Sequence, residues 1–210
     1  MSKIRLEILD TERVNLLTKL SEFKNVGYLS DGTALALQIG HRRSVDFDIF
    51  VDKPIDNNLK LRINAVLPSA QYTSNTSDRI SLSTVNNISV TFLWYYFPRI
   101  NGLVNTEYLP LASVQDIAAD KAMTIGRRAA WRDYVDMYFL LKDVMSLDQV
   151  IESGEKKFKT EFVIVQFLQQ LTYFEDVAVV PIDYIKASPT AAEIKDFLQT
   201  EVRHYAENLS

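Results

Sequence analysis

The sequence predicts an α+β fold, with a mixed sheet and flanking helices in the first half and an all-helical region after it. Three observations lead there. Short alternating or apolar segments bounded by turn residues crowd into residues 27–95, and helical apolar spacing takes over from Leu111. Gly and Pro number only six each in 210 residues, so helices should be long and loops few. The expected division is residues 1–110 as the α+β domain and 111–210 as a helical domain completing an active-site cleft.

Each element follows from local pattern. Val14, Leu17, Leu20 and Phe23 recur at three-residue steps, giving a helix over 10–24 with Asp10 or Thr11 as N-cap. Gly27 to Ser30 is a short apolar strand, and Ala34 to Ile39 a helix that stops at Gly40, a C-cap residue. Val45 to Val51 alternates, with Val45, Phe47, Ile49 and Val51 on one face and Asp46 and Asp48 on the other. Pro54 starts the next helix, whose apolar positions are Leu59, Ile63, Val66 and Leu67. Strands follow near 71–74, 79–85 and 88–95, the last two joined at Asn86-Asn87 because Asn tolerates positive φ. Beyond Leu111, helices are expected from the cap Ser113 to Gly126, from Ala130 to Leu141, and over 147–158, 160–172 and 190–208.

Composition removes several function classes. No cysteine is present, which excludes disulfide scaffolds, thiolate zinc sites and cysteine nucleophiles. Two histidines, His41 and His204, give no His cluster for a metal. The net charge of -4 supplies no global field for polyanions. No apolar run approaches the roughly 20 residues needed to span a bilayer. Met1 to Glu7 has no apolar signal core, so a cytoplasmic protein is expected.

Chemistry therefore rests on carboxylates, Lys, Arg and hydroxyls. Asp46 and Asp48 sit about 7 Å apart along one strand face. Carboxylates so placed can bridge Mg²⁺, which takes a few hard oxygens plus substrate phosphates. Gly32-Thr33 lies where a strand turns into a helix N-terminus, a place that favours phosphate. Phosphate donors on one element and metal ligands on the next suit phosphoryl or nucleotidyl transfer. The plainer alternative is a solvated strand face behind a Gly-Thr helix cap. Arg132 and Asp136 are i,i+4 neighbours that could form only a surface ion pair. His41-Arg42-Arg43 is either a guide for a nucleotide backbone or a solvated turn, and Trp94 to Phe97 either a base-stacking platform or core.

The run from Asp31 through Gly32-Thr33-Ala34 to Ser44-Val45-Asp46-Phe47-Asp48-Ile49-Phe50 resembles the signature of AbiEii/AbiGii-type nucleotidyltransferases, of the DNA polymerase beta-like superfamily. The resemblance continues at Leu111 to Lys121, at Arg127-Arg128, and at Arg132-Asp133 to Asp136-Met137-Tyr138, covering about residues 26–141. It implies a nucleotidyltransferase-like sheet and transfer of a nucleoside monophosphate from a nucleoside triphosphate to a hydroxyl of tRNA or protein. Gly32 and Thr33 would hold triphosphate oxygens, and Asp46 and Asp48 would bind Mg²⁺ and help activate the acceptor. Lys121 would neutralise developing charge on the phosphates, and Asp133 and Asp136 would complete the nucleotide site. The resemblance also implies a toxin held in check by a cognate antitoxin.

Two positions depart from the pattern. The family usually has Gly-Gly before the Thr, and here the first is Asp31. The superfamily commonly supplies a third acid from a later strand, and here Thr91 stands at that place, with no Asp or Glu between Asp78 and Glu107. The alternative is therefore a catalytically degenerate nucleotide-binding or regulatory module of the same fold.

Overall fold

A computed structural model describes residues 3–128, 130–185 and 187–208. Met1 and Ser2, at the start of the segment tested above for a signal core, lie outside the described residues. The chain forms two compact units. One runs to Pro98 and takes in Gly102–Ser113, and the other holds Arg99–Asn101 and the chain from Val114 onward.

In the first unit, helix α1 (Thr11–Leu20) is followed by strand β1 (Gly27–Ser30), α2 (Asp31–Ile39), β2 (Phe47–Val51), α3 (Asn57–Val66), β3 (Gln71–Asn75), β4 (Arg79–Ser83) and β5 (Ser89–Trp94). The strands make one mixed sheet in the order β1-β2-β5-β4-β3, with β2 and β5 parallel and the other neighbours antiparallel. The parallel pair needs a long crossover, and α3 with the β3–β4 hairpin supplies it.

Local chemistry sets the boundaries. The Asp10 carboxylate accepts from the Arg13 backbone N–H at 2.9 Å, which fixes the start of α1. The helix ends at Leu20, four residues short of the expected stop, and tightens into a 3-10 turn over Ser21–Phe23. α3 begins at Asn57 rather than at Pro54, because Asp56 caps it through the Leu59 N–H at 2.8 Å. α2 ends at Gly40 with φ of 64°, the left-handed cap that glycine adopts without a Cβ penalty. In the β4–β5 turn only Asn87 takes positive φ, at 55°.

β2 is shorter than the alternation suggests. Val45 is 39% exposed and outside the strand, its carbonyl accepting from Arg13 Nε at 3.1 Å. One face of the sheet is apolar across β2, β5 and β4: Phe47, Ile49, Ile80, Leu82, Val90 and Phe92 are all buried. Phe23 meets Phe92 edge-on with ring centroids 4.8 Å apart. Full burial of a side chain of that size contributes about 1.5–3 kcal/mol.

The second unit is helical: α4 (Val114–Ile125), α5 (Trp131–Asp143), α6 (Leu147–Phe158), α7 (Ile164–Thr172) and α8 (Ala191–Asn208). α4 packs against α5, α6 and α7. Ser146 and Gln149 close a capping box at the start of α6. The helix expected over 160–172 begins only at Ile164, because Lys159 turns to φ of 51° and a separate 3-10 turn covers Lys159–Glu161. Among the described residues no helix is long and apolar enough to cross a membrane.

Candidate functional site

The polar face of the sheet is organised in rows by strand register. Asp48 on β2 pairs with Ser30 on β1 and with Thr91 on β5, and Thr91 pairs with Ser81 on β4. Directly opposed residues share a face, so Ser30, Asp48, Thr91 and Ser81 form one row. The next row is Tyr28, Phe50, Leu93 and Arg79. Asp46 and Asp48 are both half-buried, between the fully buried side chains around them and open solvent. Thr91 is buried immediately beside Asp48. The position at which the resemblance leads one to expect a third acid carries a buried hydroxyl.

Asp46 lies just before β2, and Thr33 holds it there. The Thr33 hydroxyl is buried, lies 2.6 Å from Ser44 Oγ, and donates to the Asp46 backbone carbonyl. Thr33 therefore ties the first turn of α2 to the chain entering β2. Its neighbour Gly32 is half-buried in that turn, where the leading N–H groups have no partner in the helix's own ladder. Ser30 occupies the N-cap position without making a side-chain cap bond, and its buried Oγ has no hydrogen-bond partner. Asp31 has φ of 56°. That left-handed backbone explains why glycine is favoured at this position, and Asp is one of the few other residues that tolerates it.

The basic cluster after α2 is not a solvated turn. His41 and Arg42 are buried, and Arg42 donates through Nη1 to the Arg43 carbonyl at 3.0 Å. Of the aromatic run, Tyr95 packs against Phe50 with centroids 4.5 Å apart, whereas Tyr96 is 65% exposed.

The resemblance-derived residues of the second unit form a buried ion cluster. Lys121 Nζ on α4 lies 2.6 Å from Asp133 and 3.0 Å from Asp136, both on α5, with Lys121 only 4% exposed. Asp136 is fully buried, whereas Arg132, its expected surface partner, is exposed. A second cluster has no counterpart in the sequence reading. Lys157 on α6 lies 3.1 Å from Asp116 and 2.8 Å from Asp120, and Asp116 also accepts from the backbone N–H of Ile100 and Asn101. Acids at 116 and 120 on one helix face were visible as an i,i+4 pair, but the lysine that joins them is 37 residues further along Asp120's chain.

The donor set on the sheet fits a hard cation. Two carboxylates at half exposure are what Mg²⁺ takes from a protein when substrate phosphates and water complete its octahedron. Among the described residues no group of three or more His, Cys, Asp or Glu side chains is placed to hold a metal ion.

No protein-family model matches the chain. It is 30% identical over 190 residues to the uncharacterized protein aq_aa25 of Aquifex aeolicus, covering 86% of this chain and 88% of that one. Among solved structures, MenT4, a nucleotidyltransferase toxin of Mycobacterium tuberculosis, superposes with a TM-score of 0.64 over 93% of this chain and 82% of that one, at 14% identity. JHP933 of Helicobacter pylori superposes with a TM-score of 0.56 over 96% of each chain, at 18% identity. At these identities the likeness is one of fold, a mixed sheet with flanking helices and a helical C-terminal region. The chain has this nucleotidyltransferase-like fold and belongs to the same protein family as aq_aa25 of Aquifex aeolicus.

Proposed function

We propose that the protein is a Mg²⁺-dependent nucleotidyltransferase of the AbiEii/AbiGii type. It moves a nucleoside monophosphate from a triphosphate to a hydroxyl of a tRNA or protein acceptor, and acts as a toxin paired with an antitoxin. The observation that carries the reading is that Asp48 on β2 and Asp46 just before it are both half-buried, with Thr33 of the α2 turn bonded to the Asp46 carbonyl. The fold shared with the toxin MenT4 supports it.

In this reading Asp46 and Asp48 hold Mg²⁺, which when bound offsets phosphate charge and orients the triphosphate. The backbone N–H groups at Gly32 and Thr33 receive phosphate oxygens, while the Thr33 hydroxyl keeps the turn and Asp46 in register. Bond formation joins the acceptor oxygen to the α-phosphorus as pyrophosphate leaves, and the acceptor proton passes to a carboxylate of the pair. By the same resemblance Lys121 of the helical region would neutralise phosphate charge, with Asp133 and Asp136 fixing the lysine's charge and position.

The test uses purified protein, Mg²⁺, labelled nucleoside triphosphates and either total tRNA or cell lysate. Label transfer is expected with the native protein and lost in Asp46→Asn. Transfer that persists unchanged in that variant rejects the assignment. Thr91, buried beside Asp48 in place of an acid, favours a second reading, a nucleotide-binding module without turnover. Calorimetry showing Mg²⁺-nucleotide binding with no transfer to any acceptor selects that one.

A further inference from the structure

The same sheet face carries a cation that forms no salt bridge among the described residues. Arg79 opens β4 and is exposed. Its Nε donates to Ser81 Oγ at 3.0 Å, and Ser81 Oγ lies 3.4 Å from Thr91 Oγ1. Ser81 and Thr91 are both buried, so the exposed arginine is tied through its Nε to a buried hydroxyl pair. The nearest acid in sequence, Asp78, is bonded instead to Thr76.

Position on the sheet gives this cation its meaning. Gly32-Thr33 follows β1, on one side of Asp48, and β5 and β4 lie on the other. Neighbouring strands are about 4.8 Å apart, so Ser81 sits roughly 10 Å across from Asp48, with Thr91 between. If the triphosphate lies over the β1 side, as the transferase reading has it, the β5–β4 side is left for the acceptor. That side offers two hydroxyls, a guanidinium fork and no acid on either strand.

We infer that Arg79, Ser81 and Thr91 form an acceptor-side phosphate subsite, which makes the acceptor a nucleic acid strand. The inference rests on the transferase reading for the direction of transfer, but the subsite itself binds without turnover. A guanidinium fork matches phosphate oxygens two at a time. Every nucleotide next to a reacting hydroxyl carries such a phosphate, and a protein hydroxyl brings none. Arg79 selects the class of acceptor by binding it, and Ser81 and Thr91 are positioning residues that anchor the guanidinium on the face that carries Asp48.

The experiment measures binding of a short fluorescein-labelled single-stranded RNA by anisotropy across a salt series, in parallel with calorimetry of Mg²⁺-ATP binding. Arg79→Gln should weaken RNA binding roughly tenfold, the effect of one charge-assisted contact. It should also flatten the salt slope by about 0.7, the release expected for one phosphate on a single strand. Ser81→Ala should weaken RNA binding less and leave the slope unchanged. Mg²⁺-ATP affinity should match the native protein in both variants. Equal loss of ATP affinity in Arg79→Gln would reassign the arginine to the triphosphate and overturn the inference. So would RNA binding of unaltered strength and slope, or label transfer to a protein acceptor by a chain that binds no RNA. Arg79-dependent RNA binding without label transfer keeps the subsite and removes the transferase reading, so the two fail separately.

Discussion

Asp48 and Thr91 face each other in parallel register on β2 and β5, a half-buried carboxylate beside a buried hydroxyl. A third acid at this point would crowd the charge already carried by Asp48 and Asp46. Thr91→Asp should therefore lower the melting temperature in EDTA, because a carboxylate buried beside another is disfavoured. Mg²⁺ should restore it, by about 2.7 kcal/mol at a hundredfold excess over Kd. The check is the shift in Tm between EDTA and Mg²⁺, which should be larger in Thr91→Asp than in the native protein. An equal shift rejects Thr91 as the position of a third ligand.

Lys121 is held by two carboxylates at 2.6 and 3.0 Å, all three groups buried. Removing one partner of such a cluster leaves uncompensated charge, at a cost of roughly 3–5 kcal/mol. Asp136→Ala and Lys121→Met should each show a loss of this order in urea denaturation. The double variant Lys121→Met with Asp136→Leu should lose less than the sum of the single losses. Additive losses would mean that the cluster is not energetically coupled.

Asp31 combines a left-handed backbone, φ of 56°, with a carboxylate on the turn assigned to the triphosphate. Asp31→Gly relieves the Cβ penalty and should stabilise the fold by about 0.5–1 kcal/mol. It also removes a negative charge, so Mg²⁺-ATP should bind more tightly by calorimetry. Weaker binding in the variant would show that Asp31 takes part in the site.

The cap of α1 gives a pH prediction. The Asp10 carboxyl is held below its ordinary value of 3.8, chiefly by the Arg13 backbone N–H and also by the Arg13 side chain. A depressed folded-state pKa means that the cap's contribution is fully present above the ordinary value and is lost as pH falls through the folded one. Asp10→Asn keeps a capping acceptor but no charge. Native and variant proteins should therefore differ in stability at neutral pH, by a few tenths of a kcal/mol up to about 1, and the difference should shrink as pH falls below the ordinary carboxylate value and through the folded one. A constant difference from neutral to acid pH would assign the effect to packing.

Much of the fold is legible in local pattern because the forces behind it are local. The Asp10 cap, the Gly40 stop and the Asn87 turn each depend on residues within four positions, and the structure shows all three. The alternation expected over 45–51 holds only in part: Val45 lies outside β2 and Phe50 is buried. Boundaries moved where two local signals competed, as when the Asp56 carboxylate rather than the fixed φ of Pro54 set the start of α3. The acids at 46 and 48 were visible for the same reason, as near neighbours in sequence, although only Asp48 lies within β2.

By itself, then, the sequence determined the α+β order and showed Asp46, Asp48, the Gly32-Thr33 pair and Thr91 within it. Only the tertiary structure decided that Thr91 stands beside Asp48, that Thr33 turns its hydroxyl inward to Ser44 and Asp46, and that Arg79 joins the same face. It also joined Lys157 to Asp116 and Asp120 across 41 and 37 residues of chain. The reason is physical: strand register and helix packing are settled by burial of the whole apolar face at once, and no short window of sequence contains that sum.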